Sequence, residues 1–214
     1  MSTLFLDVET IPAQRPDILA HLATEHMVDD DLVKSAKAVD KEHRKTSLDG
    51  AFGEIVVIGW AFDNEPAQTW SRSLAGGERE MVRAFFDLVT EYADEHDGID
   101  NVVAHNADFD RGFLRKRSII LDVTPPKFVS AIGVKPWDRN AVWRDTMSIW
   151  CDEYRGKISL LNLCLALGVD SKPGDIGGSE VWDAVLAGRT DEVAEHCRRD
   201  VERVRSCWHR MRCQ

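Results

Sequence analysis

The side chains in this sequence best suited to chemistry are carboxylates, and they fall in three clusters. Asp7 and Glu9 stand two apart in Leu4-Phe5-Leu6-Asp7-Val8-Glu9-Thr10. Asp108 and Asp110 stand two apart in His105-Asn106-Ala107-Asp108-Phe109-Asp110, and Asp200 follows His196 by four in His196-Cys197-Arg198-Arg199-Asp200. Residues i and i+2 of a strand share a face, so Asp7 and Glu9 can reach one site. Spacing of i, i+4 does the same for His196 and Asp200 on a helix. Each cluster alone is weak evidence. Thirty-seven acids among 214 residues supply about six acid-x-acid triplets by chance. A lone helical His–Asp pair is more often a surface ion pair, and His26–Asp30 and His96–Asp100 have the same spacing and read as solvated helix faces. Together the clusters say more, because acids spread from Asp7 to Asp200 meet only if the whole chain folds as one unit. Four such carboxylates suit two hard divalent cations about 3.5–4 Å apart, which take oxygen ligands and clamp the attacking and leaving oxygens of a phosphodiester. A neighbouring His can orient or deprotonate the attacking water. On spacing alone the choice between Asp108 and Asp110 stays open, and Asp110 also suits a favourable charge in a first helical turn.

The elements that must bring these acids together are legible in the hydrophobic pattern. Thr3 to Val8 reads as a short buried strand with its acids at the C-terminal end, where α/β sheets carry active sites. Residues from about 12 to 47 are polar and helix-favouring, and are expected to form a helical insertion after this strand. Glu54 to Phe62 is rich in β-branched residues and predicts a strand, with Ala67 to Ser71 as its hairpin partner. Met81, Val82, Phe85, Phe86 and Val89 recur at helical spacing within a helix over Glu78 to His96. Asn101 to His105 predicts a strand and Asp110 to Ile120 a helix. A loop is expected over Leu121 to Asn140, which holds three prolines, and a last strand over Ala141 to Asp145. Helices follow over Ile158 to Leu167, Glu180 to Ala187 with Ser179 as a cap, and Asp191 to Met211. This order predicts an α/β fold with a mixed sheet, an antiparallel meander first and parallel strands after it, flanked by helices.

Composition bounds the function classes. Hydrophobic residues make up 43% of the chain and charged residues 30%, as in an ordinary globular protein, and residues 1–214 are read as a single domain. A net charge of −10 argues against a generic basic nucleic-acid binder. It does not argue against a nuclease whose carboxylates hold the metals that meet the phosphates. The acidic balance leaves room for a protein partner or homo-oligomer that delivers the substrate. Five cysteines, an odd count without a C-x-x-C pair, speak against a zinc cage or disulfide framework and for reduced thiols in a cytoplasmic protein. No apolar run approaches the roughly 20 residues of a membrane span, and the N-terminus does not read as a signal peptide.

The order of these motifs resembles the DEDD superfamily of 3′–5′ exonucleases, which has a ribonuclease H-like fold. Leu4 to Thr10 is similar to its first motif and His105 to Asp110 to its second, in which the acid after Phe is the ligand. His196 to Val201 is similar to the third, whose final Asp corresponds to Asp200. Within the superfamily the chain is closest to the group related to the proofreading domain of family B DNA polymerases. The stretches Asp49-Gly50-Ala51-Phe52-Gly53-Glu54-Ile55 and Lys172 to Ser179, followed by Val181-Trp182, carry that likeness. The resemblance covers nearly the whole chain except the insertion. It implies that Asp7, Glu9, Asp110 and Asp200 hold two Mg²⁺ or Mn²⁺ ions and that single-stranded nucleic acid, DNA before RNA, is trimmed from its 3′ end to 5′-mononucleotides. There is one departure. The family's third motif is Tyr-x-x-x-Asp or His-x-x-x-x-Asp, and here His196 sits at the tyrosine spacing, where the resemblance implies a residue that orients the attacking water.

Other residues carry weaker readings. Thr10, His105, Asn106 and Phe109 are the substrate-contact residues the resemblance implies, although Asn106 serves equally as a helix cap and Phe109 as packing. Asp145 suits an outer acid or a partner for a backbone N–H, and Asp175 a turn. The tryptophans are mostly core candidates; Trp137, beside Lys135 and Arg139, is the best candidate for stacking on a base. Lys34, Lys37, Lys41, Arg44 and Lys45 of the insertion either guide a strand or form a mixed-charge solvated face. A haloacid-dehalogenase-like phosphatase also begins with acid-x-acid-x-Thr, but it needs Asp where Glu9 stands. A non-catalytic binding module on the same fold is the other rival, and the presence of all four acids argues for catalysis.

Overall fold

A computed structural model describes residues 2–25, 32–130, 142–152, 156–170 and 176–212. Among these, the strands are β1 (Thr3–Ile11), β2 (Glu54–Phe62), β3 (Gln68–Ser71), β4 (Asn101–Ala104) and β5 (Trp143–Asp145). They form one sheet in the order β3-β2-β1-β4-β5. The β1–β2 and β2–β3 pairs are antiparallel; β1–β4 and β4–β5 are parallel. The expected mixed α/β sheet is therefore present.

The helices are α1 (Pro16–Glu25), α2 (Leu32–Lys45), α3 (Arg72–Ala75), α4 (Glu78–Glu95), α5 (Ala107–Ile120), α6 (Thr146–Cys151), α7 (Leu160–Leu167), α8 (Val181–Leu186) and α9 (Thr190–Arg212). Several expectations need correction. Strand β1 runs past Val8 to Ile11 because β2 pairs with it as far as Ile11 opposite Glu54, so Asp7 and Glu9 lie inside the strand. Helix α5 starts at Ala107, not Asp110. Asn106 turns the chain out of β4 in the left-handed conformation (φ 62°, ψ 47°), and its N–H is held by Asp145 Oδ1 at 2.8 Å. Ser179 does not cap α8; a 3₁₀ turn over Gly178–Glu180 leads into it. The short helices α3 and α6 had no periodic signal, being too brief for one.

Side-chain alternation along β1 builds the two halves of the core. Leu4, Leu6 and Val8 face α4 and α5, packing with Met81, Phe85, Phe86, Phe113 and Leu114. Phe5 lies on the opposite face with Val201, Val204 and Trp208 of α9, and Ile11 is there with Val193 and Cys197. Asp7 and Glu9 share that second face by the same period of two, which aims them at α9. Gly59, opposite Asp7 in β2, lets α9 come this close: a Cβ there would lie 2.7 Å from Cys197 Sγ. Trp60, Trp143 and Trp208 are buried as expected, whereas Trp150 is exposed. Trp137 with Lys135 and Arg139, Asp175, and the His26–Asp30 pair lie outside the described residues. No helix among the described residues is long and apolar enough to cross a membrane.

Candidate active site

Three elements place the acids. Strand β1 supplies Asp7 and Glu9, and α9 lays His196, Cys197 and Asp200 across them. Helix α5 supplies Asp110 for a reason visible in the sheet. The pairing of β1 with β4 covers only Thr3, Leu4 and Phe5, so the β4-side edge of β1 is open beyond Phe5. The N–H of Val8 lacks a strand partner there and donates to Asp110 Oδ1 at 3.1 Å. This holds a nearly fully buried carboxylate where the charge of Asp7 acts on it. Asp108, two residues earlier, is exposed and pairs with Arg111 at 2.7 Å. The choice that spacing left open therefore falls on Asp110 as the member facing the cluster.

His196 Nε2 stands 3.4 Å from Glu9 Oε1 and 3.7 Å from Asp200 Oδ2. Its Nδ1 is buried and makes no hydrogen bond among the described residues. Arg203 Nη1 donates to Asp200 Oδ1 at 2.7 Å and so fixes that carboxylate from the side away from His196. Asp7, Glu9 and Cys197 each offer an atom within 4.8 Å of the others. The thiol is held protonated, well above its ordinary range, first by burial and then by the adjoining carboxylates. It donates to the Asp7 carbonyl oxygen at 3.5 Å.

The carboxylates push one another up. Burial, and next the charge of Asp200, raises Asp7 to about 7. Burial raises Glu9, followed by Asp7, Asp200 and Asp110; burial and then Asp7 raise Asp110. Asp7 Oδ2 is buried without a hydrogen-bond partner among the described residues. An orphaned carboxylate oxygen amid mutually repelling acids fits a divalent cation, whose charge would offset the repulsion and whose preference is for oxygen over a protonated thiol.

This has a measurable consequence. The folded, metal-free protein keeps a proton on Asp7 up to about pH 7, whereas an unfolded chain releases it near 3.8. Between those values the unfolded state binds fewer protons, so the Asp7 contribution to stability is lost as pH rises. Thermal unfolding at about pH 5 and about pH 8 without metal will show a larger fall in Tm for the parent than for Asp7→Asn. Mn²⁺ will raise the parent's Tm more at the higher pH, where its ligands bind without displacing protons. Equal falls in parent and variant, or a metal shift independent of pH, would remove Asp7 from the site.

The remaining residues separate clearly. His105 is fully engaged: Nδ1 lies 2.9 Å from Thr146 Oγ1 and Nε2 2.9 Å from the Ile158 carbonyl oxygen. His105, in the turn between β4 and α5, braces that turn against α6 and the segment before α7. Thr10 donates its hydroxyl to the Ser47 carbonyl at 2.7 Å, beside a strand irregularity at Glu9/Thr10. Asn106 is exposed and makes no side-chain cap. Phe109 is half-buried against Phe113, with ring centroids 4.9 Å apart. Asp145 caps α6 through the Met147 N–H as well as holding Asn106. Sequence reasoning overlooked Cys197, Arg203 and Gly59. Arg203 follows Asp200 by three and His196 by seven on one helical face, and a glycine inside a strand signals close approach, so two of the three left a trace.

A five-stranded mixed sheet of this order, flanked by helices, is consistent with a ribonuclease H-like fold. Residues 51–213 match the family described as predicted 3′–5′ exonucleases related to the exonuclease domain of PolB, and the chain belongs to that family. Asp7 and Glu9 lie before the matched segment, on the strand that the sheet sets between β2 and β4. The fold is similar to part of the family B DNA polymerase of the hyperthermophilic archaeon Pyrobaculum calidifontis, with a TM-score of 0.58 and 16% identity. That match covers 95% of this chain and 23% of the polymerase, so the chain spans less than a quarter of it. An uncharacterised protein of Methanocaldococcus jannaschii is 26% identical over 140 residues, 60% of this chain and 76% of that one.

Proposed function

We propose that this chain is a metal-dependent 3′–5′ exonuclease that trims single-stranded nucleic acid to 5′-mononucleotides, its residues acting as a single catalytic domain. The observation that carries the reading is that Asp7, Glu9, Asp110 and Asp200 lie near enough for the buried ones among them to be disfavoured by their neighbours' charge, while the buried Oδ2 of Asp7 has no hydrogen-bond partner among the described residues. These four would hold two Mg²⁺ or Mn²⁺ ions. Bound divalent ions supply Lewis-acid stabilisation of the charge that builds on the phosphate oxygens. Around them the chain's own groups have distinct tasks. His196 Nε2, facing Glu9 and Asp200, orients the attacking water and takes up its proton. Arg203 fixes Asp200. Thr10, His105, Asn106 and Phe109 would contact the terminal nucleotide, as the resemblance implies. The likeness to a DNA polymerase favours DNA over RNA.

The test is digestion of 5′-labelled single-stranded DNA and RNA with Mg²⁺ or Mn²⁺. Progressive shortening from the 3′ end is expected, faster on DNA and abolished by EDTA. An intact substrate with both metals would leave only a binding module. Loss of a positioned base costs on the order of a hundredfold or more, so His196→Ala is expected to turn over at about 1% of the parent rate. His196→Tyr, which sets at this spacing the side chain that the family uses there, is expected to retain more. Parent-like rates in both variants would exclude His196 from the reaction.

A further inference from the structure

The insertion carries a feature that the acid cluster does not use. Between residues 34 and 45 it holds five cations, Lys34, Lys37, Lys41, Arg44 and Lys45, against two acids, in a chain whose net charge is −10. At 3.6 residues per turn these five project within an arc of roughly 100° on α2, a stripe about 16 Å long. Lys34, Lys37, Lys41 and Lys45 are exposed. Ser35 is buried on the other side of the helix, where His43 is held to the Ala13 carbonyl at 2.8 Å and meets the edge of Trp182. Helix α2 therefore docks by one face and turns the lysines to solvent. Arg44 is committed to Asp183 and Asp40, and Lys45 to Glu42, but Lys37 and Lys41 have no hydrogen bond or ion pair among the described residues.

The stripe is aimed. Helix α2 ends in the turn over Thr46–Leu48, which is locked onto the end of β1: Ala13 N–H donates to Thr46 Oγ1 at 2.8 Å, and Thr10 donates to the Ser47 carbonyl. Nothing larger than glycine fits at position 53, where a Cβ would lie 2.4 Å from the Thr46 carbonyl oxygen. The C-terminal end of the stripe is thereby fixed beside Thr10, one residue from Glu9. Leu48 and Phe52, on the segment that leads from α2 to β2, are 69% and 40% exposed, an apolar surface of the kind on which bases stack.

We propose that the lysine face of α2 holds the phosphodiester backbone of the single strand on the 5′ side of the bond being cut, and leads its 3′ end past Leu48 and Phe52 to the acids. This rests on the exonuclease reading and extends it to the substrate's path. Positive charge that tracks a backbone, combined with apolar side chains for the bases, is how single strands are held without regard to sequence. In a chain whose net charge is −10, a local basic track beside the acids draws such a strand toward it.

The experiment compares the parent with Lys37→Gln/Lys41→Gln on single-stranded DNA of increasing length. On long oligonucleotides kcat/KM is expected to fall about tenfold at low salt, and the slope of log(kcat/KM) against log[salt] to flatten by about 1.4, at about 0.7 per charge lost on a single strand. On a trinucleotide, too short to reach the stripe, the two proteins should match, and Lys37→Arg/Lys41→Arg should behave as the parent on both. Equal rates on long substrates, or an equal loss on long and short ones, would overturn the path while leaving the exonuclease reading intact. A parent that shortens no substrate would overturn both.

Discussion

Replacing Asp110 by asparagine is expected to lower exonuclease turnover about a thousandfold or more, some 4 kcal/mol of lost transition-state stabilisation, while raising the Tm of the metal-free protein. The two effects come from one carboxylate. Asp110 is 3% exposed, and its ionised form is disfavoured first by burial and then by the charge of Asp7. Asparagine keeps an oxygen to accept from the Val8 N–H, a bond of 3.1 Å in the parent, so the edge of β1 stays satisfied. It removes the charge, and with it both the repulsion and a metal ligand. A gain on the order of 1 kcal/mol is typical where an active site holds groups in a costly arrangement. Gel assay of 3′ trimming and thermal unfolding without metal read the two halves separately. Parent-like turnover would show that Asp110 is not a ligand, and a lowered Tm would show that its main task is structural. Asp108→Asn is the control, since Asp108 is exposed and pairs only at the surface with Arg111; both turnover and Tm should stay at the parent values.

Arg117→Ala is expected to destabilise the fold by about 3–5 kcal/mol, the cost of leaving one buried charge without its partner. The side chains of Arg117 and Glu78 are 3% and 6% exposed, and both oxygens of Glu78 are engaged: Nε donates to Oε1 at 2.8 Å and Nη2 to Oε2 at 2.5 Å. Glu78 Oε1 also accepts from the Ile55 N–H at 2.7 Å, so this one carboxylate ties α4 and α5 to the start of β2. Burial first, and to a lesser extent the charge of Glu54, raises Glu78, while Arg117 and the Ile55 N–H oppose them. Against a total stability of about 5–15 kcal/mol, the loss is a large fraction. Urea denaturation checks it. The double variant Arg117→Met/Glu78→Gln should recover most of the loss, because glutamine still accepts from Ile55 and no charge is left buried. A single variant within about 1 kcal/mol of the parent would mean that water reaches Glu78 once the guanidinium is gone.

The reach of the sequence differs from one site residue to the next. Asp7 and Glu9 were legible because a period-two strand pattern sets both on one face, and that periodicity is local. His196 and Asp200 were legible as a pair for the same reason on a helix. Which acid of the second cluster turns inward was not legible in the spacing, although the resemblance implied Asp110, because Asp108 and Asp110 differ only in where α5 starts and in what it meets. The start is set by Asp145, thirty-nine residues from Asn106 in the chain, through its grip on the Asn106 N–H. His105 shows the same limit: its two nitrogens are taken by Thr146 and Ile158, neither of which is near it in sequence.

By itself, then, the sequence determined the alternation of strands and helices, the side of each element that carries acid, and the family to which the motifs point. Hydrophobic periodicity and the order of short motifs carry that information locally. Only the tertiary structure decided that β4 stops short and leaves Val8 N–H for Asp110, that Gly59 lets α9 down onto β1, and that the insertion turns its lysines outward beside Thr10. Those outcomes depend on pairing register and on contacts between residues far apart in the chain, and no local pattern encodes them.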